Sequence, residues 1–249
     1  MNTIVFDKDN VIDLDKDVEL NSNNLIIKDD TSINMYINKD TDLKININDN
    51  NNLDLFILCN SKINLIINLD SNSKCNLSIF GFNISGLIDV YLNKEESEFY
   101  LHNSSIYDEA CLLEVNTHHL KSNTVSDIHN HGFTYKKGSL EYSVNGIVPK
   151  ESSNCTCSQD NRIINLTDNI CNIHPNLLID NYDVVANHAA YIGTFKESDL
   201  FYLMSRGINK SKCYNLLLKA YLLDGLSVPD KERERIINDI ESVGEFIYE

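Results

Sequence analysis

Thiols and imidazoles carry the widest chemical reach in this sequence, and they gather in a few places. Cys155-Thr156-Cys157 has one spacer residue, which is not a zinc-finger spacing. On a strand both sulfurs would share one face, and two small apolar core residues explain that more simply than a metal does. His129 and His131 share a strand face in the same way, whereas His118 and His119 point to opposite faces. Paired imidazoles on one face can ligate a metal, although satisfied polar residues at a surface are commoner. Cys171, His174 and the later His188 form a further set, and thiolate with imidazole suits zinc or iron bound in a cluster. Spacing leaves open whether Cys171 and His188 meet in space, and a buried structural role is the commoner fate of each. No phosphate loop, dinucleotide fingerprint, HExxH or GxSxG element occurs.

Something must hold these groups in place, and the composition limits what that is. The chain has 249 residues with 42% apolar and 23% charged, enough for a buried core of one large or two small domains. Lys and Arg number 21 against 37 Asp and Glu, a net charge of -16 that repels polyanions. Nucleic acid and anionic membrane surfaces are therefore poor partners. The longest apolar runs, such as Leu55 to Cys59, are far too short for a membrane helix. Such a helix takes roughly 20 residues. No basic leader opens the chain, so a cytoplasmic location is expected, and seven scattered cysteines point to reduced thiols. Abundant Asn is read most simply as the bias of an AT-rich genome.

The positioning elements are legible as short alternating segments. Val18–Leu20, Leu25–Ile27, Ile33–Ile37 and Leu43–Ile47 follow one another at intervals of about eight to ten residues. Leu53–Leu58, Ile63–Leu69, Leu77–Phe82 and Leu87–Leu92 continue the series. The separators are Asn- and Ser-rich turn formers, and no Asn-Gly or Asp-Gly hairpin signal occurs before residue 145. The pattern favours a parallel, right-handed β-helix over a sandwich, with Asn ladders satisfying one another at the corners. It changes near residue 194: Leu200–Met204 before Gly207 reads as a helix, and Asn209 can cap a second carrying Cys213, Leu216, Leu217, Ala220 and Leu223. Pro229 suits the first turn of a third helix, with Ile236, Ile237, Ile240, Val243 and Phe246-Ile247 as its stripe. The expected organisation is a mainly β core over 1–193 and a small C-terminal α-helical domain over 194–249.

Residues 175–208 are more specific. Pro175-Asn176-Leu177-Leu178-Ile179 is followed by Asn187-His188-Ala189-Ala190, then by Leu200-Phe201-Tyr202-Leu203-Met204-Ser205-Arg206-Gly207-Ile208. This resembles the C-terminal signature of the SufB/SufD family of iron–sulfur cluster assembly proteins: P-x-L-x-I, then S-H-G-A or E-H-E-A, then L-F-Y-L-x-S-R-G-I. Asn145-Gly146-Ile147-Val148 and Gln159-Asp160-Asn161 through Leu166 look like further family elements. The likeness covers roughly residues 129 to 249.

The resemblance implies a parallel β-helix scaffold with a helical C-terminal domain that docks a SufC-like ATP-binding-cassette ATPase. It implies a dimer through the β-helix, with itself or with a SufB/SufD paralogue, and a transient iron–sulfur cluster as cargo. His188 matches the family's functional histidine, Cys171 lies near the SufB-type cysteine, and His174 is a further candidate ligand. Leu200, Phe201, Tyr202, Arg206 and Gly207 are the candidate ATPase contacts, with packing of the helix onto the core as the alternative for the apolar three. Ala186 stands where many SufD-like members have Cys, and Ala189 replaces the family's Gly or Glu. These departures keep open a SufD-like binding-only paralogue without cluster chemistry. A β-helix polysaccharide lyase would need clustered acids, and the acids here are dispersed through turns.

Overall fold

Strands with one apolar face need a second sheet to cover it, and the connections decide how the two sheets stack. The structure, a computed structural model, describes residues 2–246. One sheet runs, in spatial order, β17 (Val184–Gly193), β15 (Cys155–Asn165), β13 (Val125–Thr134), β11 (Glu98–Tyr107), β9 (Lys74–Phe82), β7 (Asn52–Cys59), β5 (Thr31–Ile37), β1 (Asn2–Phe6) and β2 (Val11–Asp13). The other runs β16 (Asn172–Ile179), β14 (Ser139–Val148), β12 (Ala110–His119), β10 (Ser85–Leu92), β8 (Lys62–Leu69), β6 (Thr41–Ile47), β4 (Asn24–Ile27) and β3 (Val18–Asn21). From β4 onward, strands alternate between sheets and pair in parallel, so the chain winds as a β-solenoid of about seven turns. This is the parallel β-helix that even strand spacing predicts, and a hairpin-built sandwich is excluded. At the N-terminal end β1–β2 and β3–β4 are antiparallel. These short strands blunt that edge.

The coils of the first sheet widen along the chain as far as β15, and the last, from β15 to β17, is two residues shorter than the one before. Hydrogen-bonded neighbours one coil apart are separated by 22 residues at Asn50 and Asn72 and by 24 at Ser71 and Glu95. The separation grows to 27 at Asn103 and Asn130 and to 31 at Asn130 and Asn161. Asn has local work at the turns. Asn50, Asn72, Asn123 and Asn154 adopt positive φ, which Asn tolerates better than most side chains. Asn46 donates to Asn24 and Asn68 to Asn46 at 3.1 Å, a ladder between outer positions one coil apart. Composition bias alone does not account for these placements.

The space between the sheets is filled mainly by Ile and Leu, one inner position stacked on the next. One inner column departs from this: Met35, Ile57 and Ile79 give way to Asn103, Asn130 and Asn161. These amides are buried and bonded in series, Asn103 Nδ2 to Asn130 Oδ1 at 3.1 Å and Asn130 Nδ2 to Asn161 Oδ1 at 2.8 Å. The solenoid is therefore hydrocarbon inside its narrow end and polar inside its wide end.

Three helices follow: α1 (Glu197–Ser205), α2 (Lys210–Leu223) and α3 (Asp230–Phe246). Gly207, at φ +84°, ends α1. The Asn209 side chain accepts from Lys212 N at 2.9 Å to cap α2. Both are stop and start devices that only those residue types supply cheaply. Pro229 stands one residue before α3 rather than in its first turn, with its carbonyl accepting from Glu232 N at 2.9 Å. In α2 the fully covered side chains are Cys213, Leu218 and Leu222, so the buried face is rotated from the expected Leu216–Leu217 stripe. Leucines on several sides of α2 make its periodicity ambiguous, and the sheet decides. Leu218, Leu222, Ile236, Ile240 and Val243 pack on Phe56, Phe80, Ile106, Phe133 and Ile164, which project from the outer face of the first sheet. Each such fully buried side chain contributes about 1.5–3 kcal/mol. Ile247, expected in the α3 stripe, lies outside the described residues.

Candidate functional site at the open end of the solenoid

The last coil has nothing stacked upon it. β17 pairs only with β15 and β16 only with β14, so among the described residues both strands leave one edge unpaired. Strand alternation then sorts the candidate ligands. Cys171, just before β16, is buried and turned inward, its Sγ 3.9 Å from Thr134 Oγ1 of the opposite sheet. His188 stands on β17 in register with the buried Gln159 and is exposed at the open end. Cys171 and His188 share the inner phase of the terminal coil, but the register sets them apart along it: Cys171 lies at the level of Thr134 and Asn165, His188 at that of Gln159, whose side chain reaches Asn176. His174, an odd number of positions from Cys171 and so of opposite phase, faces outward with Nε2 3.7 Å from Glu141 Oε1. Among the described residues no three His, Cys, Asp or Glu side chains are gathered to hold a metal ion.

The other candidates have structural partners. His129 Nε2 lies 3.2 Å from Asp127 Oδ1, and its ring stacks on His102 at 4.8 Å. The Asp127 carboxylate raises the His129 pKa. His131 stacks on Tyr221 and bonds its carbonyl at 3.1 Å. Burial lowers the pKa of that imidazole. The two imidazoles thus share a face, as their spacing predicts, but each serves a neighbour. Cys155 and Cys157 both point into the lumen, where burial pushes the Cys157 thiol up and leaves it a poor ligand. All seven cysteines are free thiols.

A buried relay joins Cys155 to His119 through Thr124, whose Oγ1 lies 3.3 Å from Cys155 Sγ. The His119 Nδ1 lies 2.8 Å from Thr124 Oγ1 and its Nε2 2.8 Å from Ser126 Oγ. Thr124 donates its own proton to the Lys121 carbonyl at 3.0 Å, so it accepts from Nδ1–H. Burial holds the His119 imidazole neutral and lowers its pKa to about 4.

Polar residues in the lumen were not singled out as site residues from sequence. The signal was the inner phase of β15, which reads Cys155, Cys157, Gln159, Asn161, Ile163 where earlier strands carry Leu and Ile. Among the described residues Gln159 Oε1 and Asn161 Nδ2 have no hydrogen-bond partner, although both residues are buried.

Helix α1 borders the same end. Leu200 is buried, whereas Phe201 and Tyr202 are 74% and 58% exposed, with Arg206 over the Tyr202 ring at 5.3 Å. Packing therefore claims Leu200 and leaves Phe201, Tyr202, Arg206 and Gly207 at the surface. A groove of about 490 Å³ separates α1 and α2 from the outer face of β15 and β17, lined by Arg162, Tyr191, Phe195, Lys196 and Tyr221. No helix among the described residues is long and apolar enough to cross a membrane.

Fold and end site together define a widening parallel β-solenoid with a thiol and an imidazole at its uncapped terminal coil and a helical hairpin on one flank. Residues 29–221 match the family model described as SUF system FeS cluster assembly, SufBD core domain, and the chain belongs to that family. It is 33% identical over 93 residues to the iron–sulfur cluster assembly protein SufD of Bacillus subtilis (strain 168), covering 37% of this chain and 21% of that protein. It is 33% identical over 100 residues to the iron–sulfur cluster assembly SufBD family protein ML0594 of Mycobacterium leprae (strain TN), covering 38% and 25%. The aligned part thus spans a quarter or less of these relatives' own length.

Proposed function

We propose that this chain is a non-enzymatic scaffold subunit of a cytoplasmic SUF-type iron–sulfur cluster assembly complex, working with a SufC-like ATP-binding-cassette ATPase. The observation that carries this reading is the match of residues 29–221 to the SufBD core domain; Cys171 and His188 are the candidate donors, each on the inner phase of the terminal coil but at different levels along it, Cys171 beside Thr134 and His188 over Gln159. A thiolate and an imidazole are soft and borderline donors matched to iron, and a nascent cluster is the cargo they would hold. Neither donor makes a cluster site alone, and the unpaired edges of β16 and β17 are where a second copy or a paralogue would add its own ligands. The exposed Phe201, Tyr202 and Arg206 surface of α1 supports docking of the ATPase next to that mouth. ATP-driven closure of the ATPase would then load α1 and α2, and the tie from Tyr221 OH to the Arg162 carbonyl at 2.8 Å leads that load into β15.

A second reading, a SufD-like partner that supports a cluster-bearing paralogue, is favoured by Ala186 and Ala189, which bring no ligand to β17. Anaerobic isolation from native cells with mass spectrometry, followed by reconstitution with iron and sulfide, separates them. The scaffold reading expects a copurifying ATPase and a charge-transfer spectrum lost in Cys171→Ala and in His188→Ala. A colourless protein with a longer paralogue attached supports the partner reading. Absence of any ATPase sinks both.

A further inference from the structure

The inner column that ends at His188 runs Ile33, Leu55, Leu77, Leu101, Ile128, Gln159, His188. Five successive coils fill it with a branched apolar side chain, none more than 2% exposed. The change to an amide comes one rung below the imidazole. Gln159 is itself 2% exposed; its Nε2 donates across the lumen to the Asn176 carbonyl at 3.3 Å, and its Oε1 accepts nothing among the described residues. A buried amide oxygen left without a donor costs about 1–3 kcal/mol, a penalty that a sixth Leu would not incur. The opposite sheet also makes room for this amide: a Cβ on Gly146 would stand 3.3 Å from Gln159 Nε2 and 2.3 Å from Cys157 Sγ.

His188 supplies what Gln159 lacks. Its ring makes no hydrogen bond among the described residues, and neutral imidazole carries one N–H donor and one lone pair. Rungs of a sheet lie about 4.8 Å apart, within reach of a ring rotating above the amide. Which nitrogen keeps the proton is decided by what the N–H finds. We propose that Gln159 is a positioning residue for His188: its Oε1 accepts one ring N–H, and the lone pair of the other nitrogen is thereby turned to the open mouth. This rests on the reading of His188 as a cargo ligand and adds the group that orients it. An amide does this without adding charge, unlike the carboxylate that Asp127 sets beside His129.

The test is imidazole ¹⁵N NMR of the full chain at one fixed pH without iron, His188 being assigned from the resonance missing in His188→Gln. The wild type is expected to show one His188 tautomer with a ring proton shielded from water. Gln159→Met keeps the length and removes the acceptor; it should give mixed tautomers and ring-proton exchange faster by about five- to tenfold. Gln159→Glu returns an acceptor oxygen and should restore the single tautomer. A solvent-averaged tautomer mixture in the wild type, or an unchanged spectrum in Gln159→Met, overturns the proposal. Should Gln159→Met fail to fold, the wild-type and Gln159→Glu spectra decide. Because no iron is present, the two readings fail separately. Lost reconstitution with an ordered tautomer removes the scaffold role alone. An averaged tautomer with His188-dependent reconstitution removes the positioning role alone.

Discussion

Acid should unfold this protein partly through His119, and the size of the effect follows from its surroundings. The imidazole is wholly buried between Thr124 and Ser126, and among the described residues no carboxylate is hydrogen-bonded to it. Its pKa falls from an ordinary 6.5 to about 4 in the folded chain, with burial the main cause and the neighbouring His118 adding to it. Between those values the unfolded chain binds a proton that the folded chain refuses, so stability rises with pH across that window. Above the ordinary value the contribution is complete; it is lost as pH falls, by about 2 kcal/mol at pH 5 and about 3 kcal/mol at pH 4. Denaturant unfolding of the wild type and His119→Gln at pH 7, 5 and 4 reads it directly. Gln keeps a polar group of similar length that does not titrate, so other acid-sensitive groups cancel in the difference. The gap between the two proteins should close by these amounts as pH falls. A gap that stays constant from pH 7 to 4 would mean that His119 is not held neutral, and the buried relay would be wrong.

Gly146→Ala places a new methyl 2.3 Å from Cys157 Sγ and 3.1 Å from Leu177 Cδ2. Overpacking of that kind should lower stability by about 1–3 kcal/mol in denaturant unfolding. Adding Cys157→Ala should recover part of that loss in a double-mutant cycle; strict additivity would place the strain elsewhere. Phe201→Ser with Tyr202→Ser removes exposed side chains, so stability should stay within about 0.5 kcal/mol per site. In the same variant the copurifying ATPase should disappear, and its retention would remove α1 from the docking surface.

Period-two apolar placement was enough to read the solenoid, because each coil repeats one chemical demand: branched side chains inward, Asn or Ser at the corner. The β strands from Leu25 to Leu92 follow that demand closely. The rotation of α2 escaped the same logic, since Leu216, Leu217 and Leu218 are equivalent until a sheet selects one. At the site, phase was the missing information. Cys171 and His174 look adjacent in the chain but have opposite parity, so one faces the lumen and the other the solvent. Gln159 and Asn161 read as part of a family motif and not as lumen residues, although they share the phase of Cys155 and Cys157. Only the register with Leu101 and Asn103, two coils away, shows where they point.

The widening of the coils bears on how the chain avoids misfolding. A solenoid with identical turns can be threaded one turn out of step with little penalty, as happens in repeat arrays. The early turns repeat at one spacing, as the bonds from Asn52 to Asp30, Asn64 to Asp42 and Asn76 to Asp54 show, and are open to that error. The later turns are not, because their spacing changes from one to the next, through 24, 27 and 31 residues to 29 in the last, and a slipped turn would bring a perimeter of the wrong size onto its neighbour and strand its Asn corners. The taper thus acts as a ratchet for threading: kinetic traps belong to the narrow end, and the wide end admits one alignment. Equalising the coil lengths by deletion would leave every contact type in place and still raise the yield of misthreaded chains.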